Sequence, residues 1–320
     1  MSHGHCHAGP CHGHAGAVTG RYLGLAIGLT AAFVVGEAVA GLFAQSLALL
    51  SDAAHNFADA LALVFSWYAL RMASRPADAR RTYGYHRVTI LAALANAVSL
   101  VVIALGLFWE AGQRLLAPVP VEGGLMIGVA LVAVLLNGAI SLFLRGEAKH
   151  DLNLRSAYLH MLGDAASAFG VVIAGAVVLA TGLSLADPIV SILIAVLILW
   201  SSWSVLAEAA NVLMEAAPRG LDMAAVERTI GGVPGVRSVH DLHVWTVSSG
   251  IVACSCHILV EEQSVRSGQQ VLRGVVERLR QRFGISHTTV QVEVEGCEPN
   301  DLYCTLRPAG AGAEPGHRHP

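Results

Sequence analysis

Residues 51–59 read Ser-Asp-Ala-Ala-His-Asn-Phe-Ala-Asp, and residues 156–164 read Ser-Ala-Tyr-Leu-His-Met-Leu-Gly-Asp. Each stretch carries a His-x-x-x-Asp pair, and each lies inside a long apolar segment. A spacing of four residues places both polar side chains on one face of a helix. Two such helices packed together would bring two imidazoles and two carboxylates to one point. The repeated pair therefore predicts a four-ligand site for a divalent ion such as Zn²⁺.

The composition of the chain is that of a membrane protein. Of its 320 residues, 54% are hydrophobic and only 13% are charged, and the mean hydropathy is +0.58, whereas soluble domains are about 25% charged. Apolar runs near 20 residues long predict transmembrane helices. There are six such runs, at 21–44, 47–70, 88–112, 123–144, 157–181 and 186–213. We therefore expect a polytopic α-helical membrane domain of six transmembrane helices.

The charges of the short connections predict the orientation of these helices. Basic residues concentrate in the second and fourth connections, while the first, third and fifth hold little beyond Arg114. The basic residues are Arg71, Arg75, Arg80, Arg81 and Arg87, and Arg145, Lys149 and Arg155. Because basic loops stay in the cytoplasm, both termini are expected there. The first apolar run is interpreted as a retained helix, since no small-residue cleavage site precedes the next span.

The rest of the chain predicts two tails and one soluble domain. Residues 1–20 form a His-rich tail and residues 307–320 a Gly-, Ala- and Pro-rich tail, both expected to be disordered. The membrane domain spans 21–213, and residues 214–306 form a cytoplasmic metal-binding domain. Its periodicity predicts a small α+β sandwich. The expected order is helix 222–231, strand 236–247, strand 250–261, helix 266–283 and strand 287–295.

The charge balance of the repeated pair indicates what the site does. Ionisable residues in a bilayer cost about 2.5–3.5 kcal/mol each on insertion scales. Interhelical hydrogen bonding is the plain alternative, but it needs one donor and one acceptor, not four ligands at matched spacing. Two aspartates, two neutral histidines and one divalent cation sum to zero charge. Without the metal these groups accept protons, which predicts metal-for-proton antiport, running as metal efflux on an inward proton gradient.

Other polar residues near the spans have weaker claims. Asp52 and Asn56 lie on the same helical face as the first pair. They either orient ligands or form the entry path, or else have a plain helix-cap or packing role. Asp78 and His86 lie in the second connection, where solvated loop residues are favoured because a stable Zn²⁺ site needs three or four ligands. Glu37 is interpreted as a packing residue.

The soluble domain holds a second set of metal-ligand residue types. His240, His243, His257 and His287 fall on or beside predicted strands. We expect His240, His257 and His287 to bind metal, with ordinary core or surface histidines as the alternative. His240 and His243, three apart, are predicted to point to opposite faces of their strand. All six cysteines fall in segments expected in the reducing cytoplasm, so metal binding or burial is favoured over disulfides.

Several segments of the chain resemble the cation diffusion facilitator family, in particular its zinc-transporting branch. The segments are 49–60, Tyr83-Gly-Tyr-His-Arg87, 156–165 and His240-Asp-Leu-His-Val-Trp245. The resemblance implies a cytoplasmic ferredoxin-like domain, a homodimer, zinc/proton exchange and a bacterial inner-membrane location. It assigns the transport ligands to His55, Asp59, His160 and Asp164. Cys297 and Cys304 resemble the paired cysteines that end the zinc-transporter cytoplasmic domain.

Two competing functions and the choice of metal stay open at this point. A non-transporting membrane zinc sensor would use the same ligands. An intramembrane metalloprotease is disfavoured because the chain lacks His-Glu-x-x-His. Ligand types alone do not separate Zn²⁺ from Cd²⁺, Co²⁺ or Ni²⁺. A net charge of −3 with no basic stripe argues against a nucleic-acid partner.

Overall fold

The computed structural model describes residues 31–146, 152–295 and 302–303. Within these ranges the chain divides into two compact units, one formed by the described residues up to 65 and those in 95–205, the other by 66–94 and the described residues from 206 onward. The His-rich tail, the C-terminal tail, Cys297 and Cys304 lie outside the described residues.

Five helices in the described ranges are long and apolar enough to cross a membrane. They are α2 (Leu47–Ala73), α3 (Val88–Leu116), α4 (Gly123–Leu144), α5 (Leu152–Thr181) and α6 (Ala186–Leu213). The first predicted span is represented by the shorter helix α1 (Ala31–Ala44), since residues 21–30 are not described. The predicted spans two to six therefore coincide with helices, and a count of six full-length spans stays a prediction.

Lipid-facing and protein-facing surfaces of these helices differ as a bilayer requires. Large apolar side chains such as Phe143, 84% exposed, and Trp109, 73% exposed, point outward. Alanine and glycine occupy the contacts between helices instead. A Cβ on Gly123 of α4 would lie 2.7 Å from the carbonyl oxygen of Gly175 on α5. Small residues at such a contact let two backbones approach closely, which is how membrane helices pack without a hydrophobic driving force between them.

The second unit contains a two-layer α+β domain close to the predicted one. Its elements are α7 (Met223–Gly231), β1 (Val236–Ser248), β2 (Ile251–Val260), α8 (Val265–Phe283) and β3 (His287–Glu293). The sheet order is β1-β2-β3, with β1 antiparallel and β3 parallel to β2. A parallel neighbour needs a crossover, and α8 supplies it.

Local signals explain where these elements begin and end. Asp222 caps α7 by accepting from the backbone N–H of Ala225, and Ser264 caps α8 in the same way. Gly284 ends α8 with φ 67°, a left-handed conformation that favours glycine. Beyond the sheet, the carbonyl of Leu302 accepts from the N–H of Leu242 at 2.8 Å, so a short terminal segment lies beside β1.

Candidate metal-transport site and cytoplasmic metal cluster

The two His-x-x-x-Asp pairs converge between α2 and α5. His55 Nε2 lies 3.6 Å from Asp59 Oδ2 and 3.4 Å from Asp164 Oδ1. His160 Nε2 lies 3.3 Å from Asp59 Oδ2 and 3.7 Å from Asp164 Oδ2. The two imidazole rings meet edge to face, with centroids 6.1 Å apart. All four residues predicted from the repeat are therefore brought together.

These separations suit a single small cation. Zinc bonds to nitrogen or oxygen of about 2.0–2.2 Å in a tetrahedron imply ligand-to-ligand edges of about 3.3–3.6 Å. The four His–Asp distances run from 3.3 to 3.7 Å. One ligand atom each from His55, Asp59 and Asp164 lies within 4.8 Å of the other two, and His160 joins this group through its contacts with the two aspartates. In addition, His55 Nδ1 and Asp59 Oδ2 are buried without a hydrogen-bond partner among the described residues. The arrangement can hold one Zn²⁺ with nitrogen and oxygen ligands.

A partly open cavity reaches this cluster. Its volume is about 470 Å³, and its lining comes from α2, α3, α5 and α6. Asn96, Leu100 and Ser201 line it together with His55 and His160. Burial across the cluster is uneven, because the Asp164 side chain is 7% exposed whereas that of His160 is 45% exposed. An ion in the cavity would meet His160 first and Asp164 deepest in the protein.

A second group of buried polar side chains lies beside the ligands. Ser167 donates to Asp52 Oδ1 at 3.2 Å, and Asn56 donates to Glu37 Oε2 at 3.1 Å. Glu37 and Asp52 are 1% and 2% exposed. Asp52 and Asn56 are thus both hydrogen-bonded to neighbouring helices. These contacts are consistent with a packing role and also with a role in orienting the adjacent His55 and Asp59.

Hydrogen bonds to Asp78 hold the second connection in its folded form. Asp78 Oδ1 accepts from the backbone N–H groups of Arg80 and Arg81, and Asp78 Oδ2 accepts from the Tyr85 hydroxyl. The Tyr85 hydrogen bond, followed by the two backbone ones, lowers the pKa of Asp78. Asp78 is exposed and stabilises the loop, which agrees with the interpretation of Asp78 as a solvated loop residue.

The α+β domain carries a second cluster of ionisable side chains on its sheet. His240 on β1 and His257 on β2 are opposite each other in the register, and their ring centroids are 5.2 Å apart. Glu293 on β3 lies between them, 3.0 Å from His240 Nε2 and 3.1 Å from His257 Nδ1. Asp241 Oδ2 is 3.5 Å from His257 Nε2.

Several atoms of this cluster lack partners. Within the described ranges, both ring nitrogens of His240, Nδ1 of His257 and Oε2 of Glu293 are buried with no partner at hydrogen-bonding geometry. His240 Nε2 lies 3.0 Å and His257 Nδ1 lies 3.1 Å from a Glu293 oxygen, and one ligand atom from each of the three residues lies within 4.8 Å of the other two. The donor set of two imidazoles and one carboxylate fits a zinc ion.

The prediction that His240 and His243 point to opposite faces was wrong. The register shifts between them, so that His240 pairs with His257 and His243 pairs with Ser255. Residues two apart on β2 share a face, so both histidines lie on one face too. The extra residue is Asp241, whose φ of 50° is in the left-handed region. A bulge of this kind re-aims side chains, and strand alternation alone does not reveal it.

The third predicted histidine has a different neighbour. His287 is exposed at the start of β3, and its ring meets that of Tyr83 edge to face at 5.5 Å. The structure therefore brings His240 and His257 together and places His287 outside their cluster. Glu293, which sequence reasoning missed, occupies the third position instead. The signal available was the alternation on β3, which puts residues 287, 289, 291 and 293 on one face.

Cys254 and Cys256 face the hydrophobic core and not the cluster. Both are fully buried among the side chains of α7 and α8, on the face of β2 opposite His257. The hydrogen bond between the two thiols, together with burial, raises the pKa of Cys256. The same hydrogen bond lowers the pKa of Cys254. Because both thiols lie in the apolar core, away from the histidine cluster, burial is the better account of this pair.

Comparison with known proteins finds two family profiles, one over the membrane helices and one over the α+β domain. The profile of the cation efflux transmembrane domain matches residues 23–214, and that of the cation efflux protein cytoplasmic domain matches residues 218–295. The zinc transporter ZitB of Shigella flexneri is 39% identical over 302 residues, covering 93% of this chain and 94% of its own.

Two further relatives carry broader metal names. The cadmium, cobalt and zinc/H(+)-K(+) antiporter of Bacillus subtilis (strain 168) is 33% identical, over 89% of this chain and 92% of its own. The metal cation efflux system protein CzcD of Cupriavidus metallidurans is 37% identical, over 92% of each chain. With full-length similarity of this kind and both domain profiles matched, the chain belongs to the cation diffusion facilitator, or cation efflux, family of multi-pass membrane transporters.

Proposed function

We propose that this protein exports Zn²⁺ from the cytoplasm in exchange for protons, through one intramembrane site formed by His55, Asp59, His160 and Asp164. The observation that carries the proposal is the convergence of the two pairs at 3.3–3.7 Å within apolar helices. Four ionisable side chains at that depth call for a functional partner. A transported divalent ion is the partner that also neutralises them.

Zinc is the metal that the ligand set and the relatives favour together. Two imidazole nitrogens and two carboxylate oxygens are a common zinc environment. The relatives are named for zinc, or for cadmium, cobalt and zinc. Cd²⁺, Co²⁺ and Ni²⁺ are alternative cargoes, and selection among them depends on cavity geometry and availability more than on ligand affinity order.

Proton exchange follows from the chemistry of the ligands. A carboxylate must be ionised and an imidazole neutral before they bind metal, so metal entry displaces protons and metal exit invites them. When the metal leaves, two aspartates face each other in a poor solvent for charge, and protons restore neutrality. One relative is named a zinc/H(+)-K(+) antiporter, which supports the same coupling here.

The wider organisation that we propose matches the family. Six transmembrane helices in the bacterial inner membrane keep both termini in the cytoplasm, as the basic connections predict. The domain at 214–306 joins two copies of the chain as a homodimer, with 1–20 and 307–320 as tails. The His-rich tail raises the local zinc concentration by weak, exchangeable binding.

The cytoplasmic cluster is proposed as a resident zinc site. His240, His257 and Glu293 would hold the ion, and Asp241 would orient His257 from the side. Bound there, the metal would link β1, β2 and β3 and stabilise one arrangement of the domain. His287, Cys297 and Cys304, which sequence reasoning also nominated, are the weaker candidates, since His287 contacts Tyr83 and the cysteines are not described.

Zinc flux into proteoliposomes under an imposed pH gradient tests the function. The parent chain should transport, and Asp59→Ala and His160→Ala should not, because each removes one ligand of a four-ligand site. Equal flux in all three would contradict the assignment. A sensor that never transports would bind zinc at the same site and show no flux in the parent either. A labelled membrane substrate should remain uncut, as a closed four-ligand site leaves no position for a reactive water.

A further inference from the structure

The carboxylate of Asp187 contacts residues from several helix connections at one end of the bundle. Asp187 lies in the first turn of α6, and its side chain is fully buried. The first, third and fifth connections meet around it, because Arg114 ends α3 and Ser46 lies between α1 and α2. The carbonyl of Ala44 also accepts from the N–H of Glu122, at the start of α4. We call the end of the bundle that holds these three connections the far end. The opposite end, where α3 and α5 begin, is the near end.

Asp187 holds the start of the helix that carries His55 and Asp59. Its Oδ1 accepts from the Ser46 hydroxyl at 2.5 Å and from the Ala48 N–H at 3.1 Å, and its Oδ2 accepts from the Leu47 N–H at 2.7 Å. Leu47 and Ala48 are the first two residues of α2, whose N–H groups have no partner within their own helix. A side chain of α6 thus caps α2.

The cap is reinforced by charge. The positive end of the α2 dipole and Arg114 Nη1, which lies 3.8 Å from Asp187 Oδ2, both attract the carboxylate. Arg114 also donates to the carbonyl of Gln45, whose φ of 52° forms the tight turn before α2. Separating the buried carboxylate from these donors breaks several hydrogen bonds at once, so the contact resists opening.

The cavity lies on the other side of the metal ligands. On α6 its lining begins at Ile194 and continues to Val205, and on α3 it consists of Asn96, Ala97 and Leu100. On α5 the lining runs from Leu159 to Ser167. These are the parts of α3 and α5 nearest their starts and the later part of α6, so the cavity extends from the site toward the near end. At the far end, the Asp187 side chain is fully buried among its contacts with Ser46 and the start of α2.

We propose that Asp187 is the latch of the far end: its contacts with Ser46 and the start of α2 close that end while the site is reached from the near end. Opening the far end requires α2 and α6 to part at Asp187, so the latch sets how readily zinc is released there. The inference rests on the proposed transport function, since a closed end has this meaning only in a protein that opens its ends in turn. Asp187 is a positioning residue that acts through α2 and contacts no metal ligand.

Cysteine labelling on vesicles of both orientations tests the latch. Leu100→Cys places a thiol in the cavity, and labelling by a membrane-impermeant thiol reagent is located by peptide mass, which separates it from the native cysteines. With Asp187 intact, labelling should come from the near end. Asp187→Asn places an amide where Oδ2 accepts from Leu47, and it should increase far-end labelling at least tenfold. Ser191→Ala, one turn along α6 and equally buried, is the matched control and should leave labelling unchanged.

Each outcome decides for or against the latch. Far-end labelling of Asp187→Asn equal to that of the parent would overturn it. Should Asp187→Asn fail to fold, Ser46→Ala, which removes one hydrogen bond to the carboxylate, takes its place; a rise of about threefold supports the latch and no change overturns it. Labelling does not require transport. A parent that is labelled from one end but moves no zinc would contradict the proposed function, whereas the labelling of Asp187→Asn would still show whether Asp187 closes the far end.

Discussion

His160 Nε2 lies 3.3 Å from Asp59 on the neighbouring helix and 3.7 Å from Asp164 on its own helix. His55 shows the same preference, with Asp164 at 3.4 Å and Asp59 at 3.6 Å. Each histidine is therefore closer to the aspartate across the helix contact than to its own. The site exists only where α2 and α5 pack together, so relative movement of these helices changes every ligand distance at once.

Replacing one carboxylate should abolish transport without unfolding the protein. Asp59→Asn keeps the shape of the side chain but removes one negative charge and one anionic ligand, so the ion is left with uncompensated charge. We expect zinc transport to fall at least about 100-fold. Ser99→Ala on α3, whose hydroxyl only bonds to its own helix at Ala95, is the matched control and should transport normally. Normal zinc affinity in Asp59→Asn would contradict the ligand assignment.

Zinc affinity at this site should fall in acid. Protons and zinc compete for the same atoms, so each proton that zinc must displace weakens apparent affinity by up to about tenfold per pH unit. Titrating zinc binding from neutral to mildly acidic pH measures the slope. A full-length variant with His240 and His257 replaced by alanine isolates the intramembrane site. An affinity that does not change with pH would leave the protein without a means of coupling.

The cytoplasmic cluster gives a prediction that separates Glu293 from His287. Glu293→Gln should remove one bound zinc per chain from the full-length protein, because it withdraws the carboxylate that lies 3.0 Å from His240 and 3.1 Å from His257. His287→Ala should leave the zinc content unchanged. Metal analysis of the purified proteins measures both, and the reverse pattern would assign the site to His287.

The buried thiol of Cys256 should make stability depend on alkaline pH. Its pKa is raised above the usual value of 9.0 by the hydrogen bond with Cys254 and by burial. Below pH 9 both folded and unfolded chains keep the proton, and the contribution of the group to stability is complete. As pH rises above 9 the unfolded chain releases the proton and the folded one keeps it, so stability falls by up to about 1.4 kcal/mol per pH unit. The melting temperature of the parent should therefore fall more steeply with pH above 9 than that of Cys256→Ala. Parallel plots of melting temperature against pH for the two proteins would contradict the account.

Periodicity predicted most of the fold because helices and strands here follow simple patterns. Spans two to six coincide with α2 to α6, and the predicted strand at 236–247 lies within β1 at Val236–Ser248. The convergence of the two His-x-x-x-Asp pairs was predictable for the same reason, as a four-residue repeat on a helix fixes which side chains share a face. Their distances were not, since these depend on how α2 and α5 pack.

The cytoplasmic cluster and the Asp187 contacts were beyond sequence reasoning for a different reason. The bulge at Asp241 changes the alternation of β1, and the parallel pairing of β3 with β2 places Glu293 beside His257 across a long crossover. Asp187 looks like an ordinary residue at the start of a helix, yet its partners are about 140 residues earlier in the chain. Such long-range contacts leave no local pattern to detect.

Simultaneous measurement of zinc and proton movement in the same proteoliposomes tests the central claim most directly. Zinc added on one side, with internal zinc and pH reporters, should produce zinc entry and proton exit at a fixed ratio, and Asp59→Asn should lose both together. Zinc entry without proton movement in the parent, or proton movement that continues in Asp59→Asn, would contradict the claim that one set of four side chains carries zinc in one direction and protons in the other.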